Sequence, residues 1–371
     1  MDLTELSEKI PCLDLKKQHQ QIKAEVFSAF ESVYELASFS GGTFVEDFEL
    51  KFAEFCQTSY AIGVNNGTSA LHLSMIVLGI GSGDEVIVPA NTFIATAWGV
   101  SYTGATPVFV DCTADTWQID VNLIEQSITP KTKAIVGVHL YGQPFDVDAV
   151  KFICKKHNLH FIEDAAQAHG AHYKGNPVGT FGEMACFSFY PGKNLGACGE
   201  AGGITTDNET FYRQLLSLRN HGSTVRYYHD QVGFNMRMGG LEAASLNVKL
   251  KYLPQWNNRR KVIANLYQEN IKNDKISIQL QPQWADSVHH LFVITTDNRD
   301  ELLAYLNENN IKAGLHYPIP CHLQKAYHHL NYRIGDCPNS EYLASHCLSL
   351  PMYAELTDEE VTYISEVVNN Y

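Results

Sequence analysis

Apolar residues recur at helical spacing from Leu13-Asp14-Leu15 to about Leu36, stop at Ser38-Phe39-Ser40-Gly41-Gly42, and resume from Val45 to Cys56. From there short β-rich runs alternate with helix-length segments. Ala61-Ile62-Gly63-Val64 precedes a helix predicted from about Ser69 to Leu78, and Glu85 to Val88, Pro107 to Val110, Ala134 to Val138 and His160 to Ile162 keep the same rhythm. Strands separated by helices predict right-handed crossovers and a largely parallel sheet covered on both faces, an α/β fold. Ligands then belong at the carboxyl ends of the strands. Beyond about Tyr252 the texture changes, with a helix around Trp256 to Asn270, a strand at Leu291 to Thr295 and helices near Arg299 to Asn309 and Asp358 to Val368. The pattern divides the chain into an N-terminal helical segment (1–45), a large α/β domain (46–252) and a smaller C-terminal α/β domain (253–371).

Composition narrows the class. With 371 residues, 45% apolar and 18% charged, the chain reads as an ordinary globular protein with ample core. No apolar run reaches the roughly 18–20 residues that cross a bilayer, and Met1-Asp2-Leu3-Thr4-Glu5-Leu6 lacks the basic-then-apolar start of a signal peptide, so a cytoplasmic location without membrane attachment is expected. Nine cysteines without a Cys-x-x-Cys fit reduced thiols. A formal charge of −14 argues against nucleic acid as a partner, while leaving room for a local basic pocket.

Two residues carry most of the chemistry. Asp164 closes the apolar run Phe161-Ile162-Glu163, and Lys193 follows about thirty residues later in Ser188-Phe189-Tyr190-Pro191-Gly192-Lys193-Asn194. An acid at the end of a strand and a lysine in a nearby loop supply what pyridoxal phosphate requires: a carboxylate for the pyridine nitrogen and an amine for the aldehyde. The competing readings are a helix N-cap at Asp164 and a solvated lysine at 193. Gly196, Gly199, Gly202 and Gly203 after the lysine favour close backbone approach to a ligand. Asn65-Asn66-Gly67-Thr68-Ser69-Ala70, between a strand and a helix, offers amides and hydroxyls at the positive end of a helix dipole; it is a phosphate seat or simply a capped turn. Phe93 in Pro89-Ala90-Asn91-Thr92-Phe93 can stack on a flat ring or pack in the core. Gln167 is placed for the cofactor's phenolic oxygen, Ser188 for its phosphate, and His169 for a supporting or structural role. Gly79-Ile80-Gly81-Ser82-Gly83 follows a helix rather than a strand and lacks the dinucleotide-binding pattern.

These motifs, with Gly83-Asp84-Glu85-Val86-Ile87-Val88-Pro89, Glu163-Asp164-Ala165-Ala166-Gln167-Ala168-His169-Gly170 and Gly233-Phe234-Asn235-Met236-Arg237-Met238, resemble the DegT/DnrJ/EryC1/StrS sugar aminotransferases along essentially the whole chain. The resemblance implies a fold type I pyridoxal 5'-phosphate transferase with a mostly parallel seven-stranded sheet. It also implies Lys193 bonded to the cofactor aldehyde, Asp164 on the ring nitrogen, Gln167 on the ring hydroxyl, Phe93 on the ring face, and Gly67, Thr68 and Ser188 on the phosphate. Asn235 would reach the partner's phosphate across a homodimer with shared active sites. Retention of lysine, where related sugar 3-dehydrases carry histidine, favours transamination. Gly239-Gly240 departs from relatives that carry an acidic or serine residue there, which leaves a helix cap near the interface in question.

For the substrate, Arg219-Asn220-His221-Gly222-Ser223 and Arg226-Tyr227-Tyr228-His229 combine cations and aromatic faces suited to a sugar diphosphate or nucleobase, or else form a polar loop. His316-Tyr317-Pro318-Ile319-Pro320-Cys321-His322 lacks zinc spacing, so no metal is expected. It is similar to the element of relatives that aminate C3 of a dTDP-linked 3-keto-6-deoxyhexose, and by that likeness Tyr190, Tyr317 and His316 face the hexose, with His316 near the reacting carbon. The expected reaction moves an amino group from glutamate or glutamine to this nucleotide-linked keto sugar, for a surface polysaccharide or a secondary metabolite. A 4-keto nucleotide sugar, another keto sugar, a cyclitol, or a non-catalytic regulatory protein that keeps the cofactor are the alternatives.

Overall fold

A computed structural model describes residues 9–371. Seven strands form the main sheet: β1 (Tyr60–Val64), β2 (Glu85–Pro89), β3 (Thr106–Val110), β4 (Thr132–Val138), β5 (His160–Asp164), β6 (Met184–Ser188) and β7 (Gly202–Thr206), in the order β1-β7-β6-β5-β4-β2-β3. The strands from β3 to β6 pair in parallel, and β7 alone runs antiparallel to both its neighbours. Side chains alternate between two cores. Val86, Val88, Ala134, Val136 and Ile162 join one apolar cluster, while Ile87, Ile135 and Phe161 join the other. The first cluster is roofed by α3 (Gly67–Val77) and α4 (Ile94–Ser101), the second by α5 (Val147–His157). Burial on both faces explains why these strands read as continuous apolar runs rather than alternating ones.

The antiparallel strand lies in the glycine run that the sequence assigns to ligand approach. A Cβ on Gly202 would stand 2.3 Å from the Asn66 carbonyl carbon and 2.6 Å from the Gly67 nitrogen, and one on Gly196 would stand 2.3 Å from the Pro191 oxygen. These glycines admit neighbouring backbone rather than a ligand, correcting that expectation. Their effect on the site is indirect: Gly202 lets β7 lie against the start of α3, and Gly196 lets the lysine loop fold back on Pro191.

A three-stranded antiparallel sheet, β8 (Ser277–Ile278), β9 (Phe292–Thr295) and β10 (Cys347–Leu350), packs with α8 (Leu253–Asn270), α9 (Arg299–Glu308) and α10 (Asp358–Asn370) around its own cluster. The N-terminal segment does not stand apart from it. Ile10 bridges to Ile311 and is buried in that cluster, while α1 (Leu15–Glu35) lies on α7 (Gly240–Lys249), with Ile22 and Val26 against Val248 and Trp256. Helix α2 (Thr43–Cys56) packs on α7 from the other side of the Gly41-Gly42 break. Among the described residues, no helix is long and apolar enough to cross a membrane.

Candidate active site

The carboxyl ends of β2, β4, β5 and β6 open into a cavity of about 470 Å³, bounded on its far side by residues of the smaller sheet's unit. Ten residues singled out in the sequence line it together: Gly67, Thr68, Phe93, Asp164, Gln167, Ser188, Tyr190, Lys193, His316 and Tyr317.

Asp164 is the last residue of β5, and only turns follow it, so it caps no helix. Its carboxylate is buried; Oδ2 accepts from the Thr96 hydroxyl at 2.7 Å and Oδ1 from the Ala166 amide at 3.1 Å. Burial raises its pKa, and the Thr96 hydroxyl, the Ala166 amide and the charge of Lys193 work in the opposite direction. Glu163, one residue earlier, points to the other side of the strand. There it accepts from the amides of Gly179, Phe181 and Gly182 and sits 2.9 Å from His139. The pleat thus separates an anchoring acid from a cavity acid.

Lys193 ends a tight turn in which its amide donates to the Tyr190 carbonyl at 2.8 Å. Its amine is driven down to about 8 by burial, against the pull of Asp164 toward the charged form. A solvated lysine would show neither effect. His169 packs between Phe187 and Phe189 behind the loop, and burial drops it to about 3. It does not line the cavity, which leaves it a structural part.

At the opposite end of the cavity, Asn66 caps α3 by accepting from the Ser69 amide at 2.8 Å. Gly67, Thr68 and Ser188 surround the helix start, and a Cβ on Gly67 would lie 2.8 Å from Cβ of Ser188. A positively polarised helix terminus whose first amides lie ahead of the Asn66 cap bond, with two hydroxyls beside it, is an anion seat. Phe93 is 50% exposed on the cavity wall and 5.4 Å from Tyr317, so it is not a core residue. Oε1 of Gln167 accepts from the Tyr141 amide at 2.6 Å, which leaves its Nε2 as a donor, 3.1 Å from the Tyr317 hydroxyl. His316 holds Nδ1 2.8 Å from the Ser349 hydroxyl, and burial together with the charge of Lys193 lowers it to about 4.

Three residues from the sequence reading lie elsewhere in this chain. Arg219 is turned away from the cavity, and this corrects its assignment to substrate: Nη1 donates to the Glu49 carboxylate and, at 2.6 Å, to the Gly63 carbonyl. Glu49 also accepts from the Gly63 amide at 2.7 Å, so the arginine completes a buried clamp between α2, β1 and α6 (Glu209–Arg219). Arg219→Ala is expected to cost about 3 kcal/mol of stability, the price of leaving a largely buried carboxylate without its cation, with KM for both substrates unchanged. Denaturant unfolding and steady-state kinetics check this. Tyr228 is exposed in the loop between α6 and α7 and does not reach the cavity of its own chain. Asn235 is likewise exposed, bridged to Asn220 at the base of that loop.

Two other sequence elements are explained by their contacts. Gly239 and Gly240 begin α7 without a side-chain cap; a Cβ on Gly240 would stand 1.9 Å from the Ser38 carbonyl oxygen, so the 38–40 segment excludes any larger residue. Cys321 turns its thiol to the Thr92 carbonyl and His322 pairs with Glu341 at 3.1 Å. Among the described residues, no cluster of three or more His, Cys, Asp or Glu side chains could hold a metal.

Sequence reasoning missed Thr96, Tyr141 and His290. The i, i+4 pair Thr92 and Thr96, whose hydroxyls lie 2.8 Å apart, was visible in the motif around Phe93, but its link to Asp164 spans 68 residues.

A doubly wound, mostly parallel sheet with an acid at the end of its central strand and a half-buried lysine in the loop after the neighbouring strand β6 defines a fold type I transferase of the pyridoxal phosphate class. The chain matches the DegT/DnrJ/EryC1/StrS aminotransferase family over residues 20–369. It is 41% identical to a dTDP-3-amino-3,4,6-trideoxy-alpha-D-glucose transaminase of Streptomyces venezuelae, over 98% of this chain and 96% of the relative. It is 46% identical to a dTDP-3-amino-3,6-dideoxy-alpha-D-galactopyranose transaminase of Aneurinibacillus thermoaerophilus, over 98% and 99%. The crystal structure of DesV from S. venezuelae superimposes with a TM-score of 0.96 at 41% identity, covering 98% of each chain. The protein belongs to the DegT/DnrJ/EryC1/StrS aminotransferase family.

Proposed function

We propose that this enzyme uses pyridoxal 5'-phosphate to move an amino group from glutamate or glutamine to C3 of a dTDP-linked 3-keto-6-deoxyhexose. The observation that carries the reading is the pairing of buried Asp164 and half-buried Lys193 on one cavity, with a helix-terminal anion seat beyond them. The cavity suits the cofactor at each of its functional groups. Asp164 keeps a carboxylate oriented by Thr96 for a ring N–H, Gln167 presents Nε2 to a phenolic oxygen, Phe93 offers a ring face, and Gly67, Thr68 and Ser188 surround the place for a phosphate. When bound, pyridoxal phosphate supplies an electron sink for the pair left by a departing Cα proton.

The residues of this chain do the rest. The Lys193 amine removes the α proton of the amino donor and later delivers a proton to the sugar carbon that was the ketone. Its low pKa suits it to the task, because an appreciable fraction is unprotonated near neutrality. His316 stays neutral and meets a sugar hydroxyl, while Tyr190 and Tyr317 close over the hexose ring. Two of the relatives above are named for dTDP-3-amino sugars, which supports C3 and the dTDP-linked substrate over a 4-keto sugar or a cyclitol.

We infer a homodimer as well. Phe27, Tyr34, Leu36, Phe39 and Leu50 are exposed on or beside α1 and α2, an apolar grouping of the kind that a partner covers. Across that twofold axis Asn235 and Tyr228 would serve the partner's cavity.

The test has two stages. Glutamate should convert the cofactor to its pyridoxamine form with stoichiometric 2-oxoglutarate, and glutamine should be compared in parallel. The aminated protein should then be offered dTDP-3-keto- and dTDP-4-keto-6-deoxyhexoses. A 3-amino product is expected; a 4-amino product would overturn the substrate, and no glutamate half-reaction would favour the regulatory alternative.

A further inference from the structure

The turn after β4 holds Tyr141 in the left-handed region, at φ 62° and ψ 9°, where most side chains crowd the backbone and glycine is the easy choice. Its ring is buried in a cluster with Trp117, Val293, Leu343 and Cys347, and it does not line the cavity. Both polar ends of the residue are nevertheless engaged with cavity residues. The amide donates to Oε1 of Gln167 at 2.6 Å, and the phenol donates to the main-chain carbonyl of His316 at 2.5 Å. Burial holds this phenol well above an ordinary tyrosine, so it keeps the proton it donates. The turn itself is tied to the large domain, with the His139 amide on the Asp164 carbonyl at 3.0 Å and Nε2 of Gln118 on the Leu140 carbonyl at 3.2 Å. On its other side the Gly142 carbonyl accepts from the Val288 amide at 3.0 Å; His290, on the cavity wall, is oriented separately by Oδ1 of Asn194, 3.1 Å from its Nδ1.

Gln167 continues the path. A main-chain amide only donates, so the atom that faces Tyr141 is the carbonyl oxygen, and the atom 3.1 Å from the Tyr317 hydroxyl is Nε2. Nε2 has no lone pair to offer, so the Tyr317 hydroxyl accepts from it and keeps its own proton free for the cavity that it lines. The second hydrogen on Nε2 remains for a cofactor oxygen. Tyr317 directly follows His316, so the bonds close into a ring: Tyr141 amide, Gln167 side chain, Tyr317 side chain, the main chain back to His316, and the Tyr141 phenol. The ring gathers the ends of β4 and β5 and a segment 175 residues beyond Tyr141. Among the described residues the phenol is the one donor to the His316 carbonyl, while the imidazole is held from another direction by Ser349 at 2.8 Å.

We propose that Tyr141 is a positioning residue for the sugar half-reaction: its phenol ties the His316-Tyr317 segment to Gln167, so that the Tyr317 hydroxyl donates its free proton to an oxygen of the keto sugar. This rests on the reading of His316 and Tyr317 as sugar-facing. The two ends of Tyr141 have separable effects. Its amide steadies Gln167, and any residue other than proline supplies that amide at position 141. Its phenol alone reaches the smaller unit. Removing the phenol therefore spares the atoms that address the cofactor, namely Asp164, Lys193 and Gln167, and releases only the segment that addresses the sugar. A left-handed tyrosine is kept where glycine would fit more easily because glycine has no hydroxyl to send across to His316.

Single-turnover kinetics of the two half-reactions, run on the cofactor-loaded protein, test this. In Tyr141→Phe the glutamate half should stay within about twofold of wild type with the cofactor absorption unchanged. The sugar half, followed with whichever keto sugar wild type aminates, should slow about tenfold at saturation, and the half-saturating sugar concentration should rise by a similar factor. Tyr317→Phe removes the presented hydroxyl itself and should give the same split. Because both changes act through one hydroxyl, the double variant should lose clearly less than the product of the two single losses. A merely structural tyrosine would slow both halves alike. Equal slowing of the halves, an unchanged sugar half, or single losses that multiply in the double variant would overturn the proposal. Should Tyr141→Phe fail to fold, Tyr317→Phe decides, since a loss shared equally by the glutamate half would break the ring's assignment to the sugar. Failure of the underlying reading would appear in wild type itself, which would then complete no glutamate half-reaction or would aminate no keto sugar.

Discussion

Lys193→Ala is expected to abolish transamination, a loss of at least about 10⁴-fold in kcat, because it removes both the amine that bonds the cofactor and the proton carrier of each half-reaction. The visible absorption of lysine-bound cofactor should vanish with it. Stability should respond in the opposite direction. Desolvation of half-buried Lys193 lowers its folded-state pKa to about 8, so the unfolded chain binds a proton more readily than the folded one. A folded-state pKa below the unfolded value means the charged lysine weakens the fold at pH 7; the penalty fades as pH rises from about 8 toward the ordinary lysine value and is gone above it. Compared without cofactor, the alanine variant should therefore melt no lower than wild type at pH 7, even though it is inert. Normal activity in that variant would defeat the assignment. Normal absorption with no activity would mean that another amine holds the cofactor.

How much of this site could be read from the chain follows from what each residue depends on. Asp164 and Lys193 were legible because strand-end and loop positions are set locally, by the apolar run Phe161-Ile162 and by Pro191-Gly192. Gly67, Thr68 and Ser188 were legible for the same reason, as turn chemistry at a strand end. The parallel sheet was legible from the alternation of strands and helices, but the antiparallel β7 was not. Its glycines carry no β propensity and are required by contact with Asn66 and Phe189, residues 136 and 14 positions away. Arg219 was misread because its charge and its position near other cations suit a phosphate, while its actual partner, Glu49, lies 170 residues earlier. His290 was missed since nothing near His289-His290 announces that Asn194 will meet it. Local signals located the cavity-facing atoms; the atoms that orient them depend on contacts between segments far apart in sequence.

Asp164→Asn should slow both half-reactions by about 10²–10³-fold while the protein still folds and binds cofactor, with reduced affinity. Oδ2 of Asp164 accepts from Thr96 and Oδ1 from Ala166, and a carboxylate still has capacity to accept from a pyridine N–H while carrying the negative charge that keeps the nitrogen protonated. Asparagine keeps the shape but not the charge. Its carbonyl can satisfy only one of the two existing donors, and its NH₂ must then face either the Ala166 amide or the ring nitrogen, which favours an unprotonated ring. A neutral ring withdraws electrons poorly, so the loss falls on breaking the Cα–H bond rather than on substrate binding, and KM for glutamate should change little. The same ring serves both directions, so the glutamate half and the sugar half should slow by similar factors. α-Deuterated glutamate gives the sharpest measurement: its isotope effect should rise toward the full primary value in the variant, as proton removal becomes the slowest step. An unchanged isotope effect with an unchanged rate would mean that Asp164 does not address the ring nitrogen. Thr96→Val separates the charge from its orientation, since it leaves the carboxylate but removes the hydroxyl at 2.7 Å; it should produce a smaller loss of the same kind, about tenfold, in both halves.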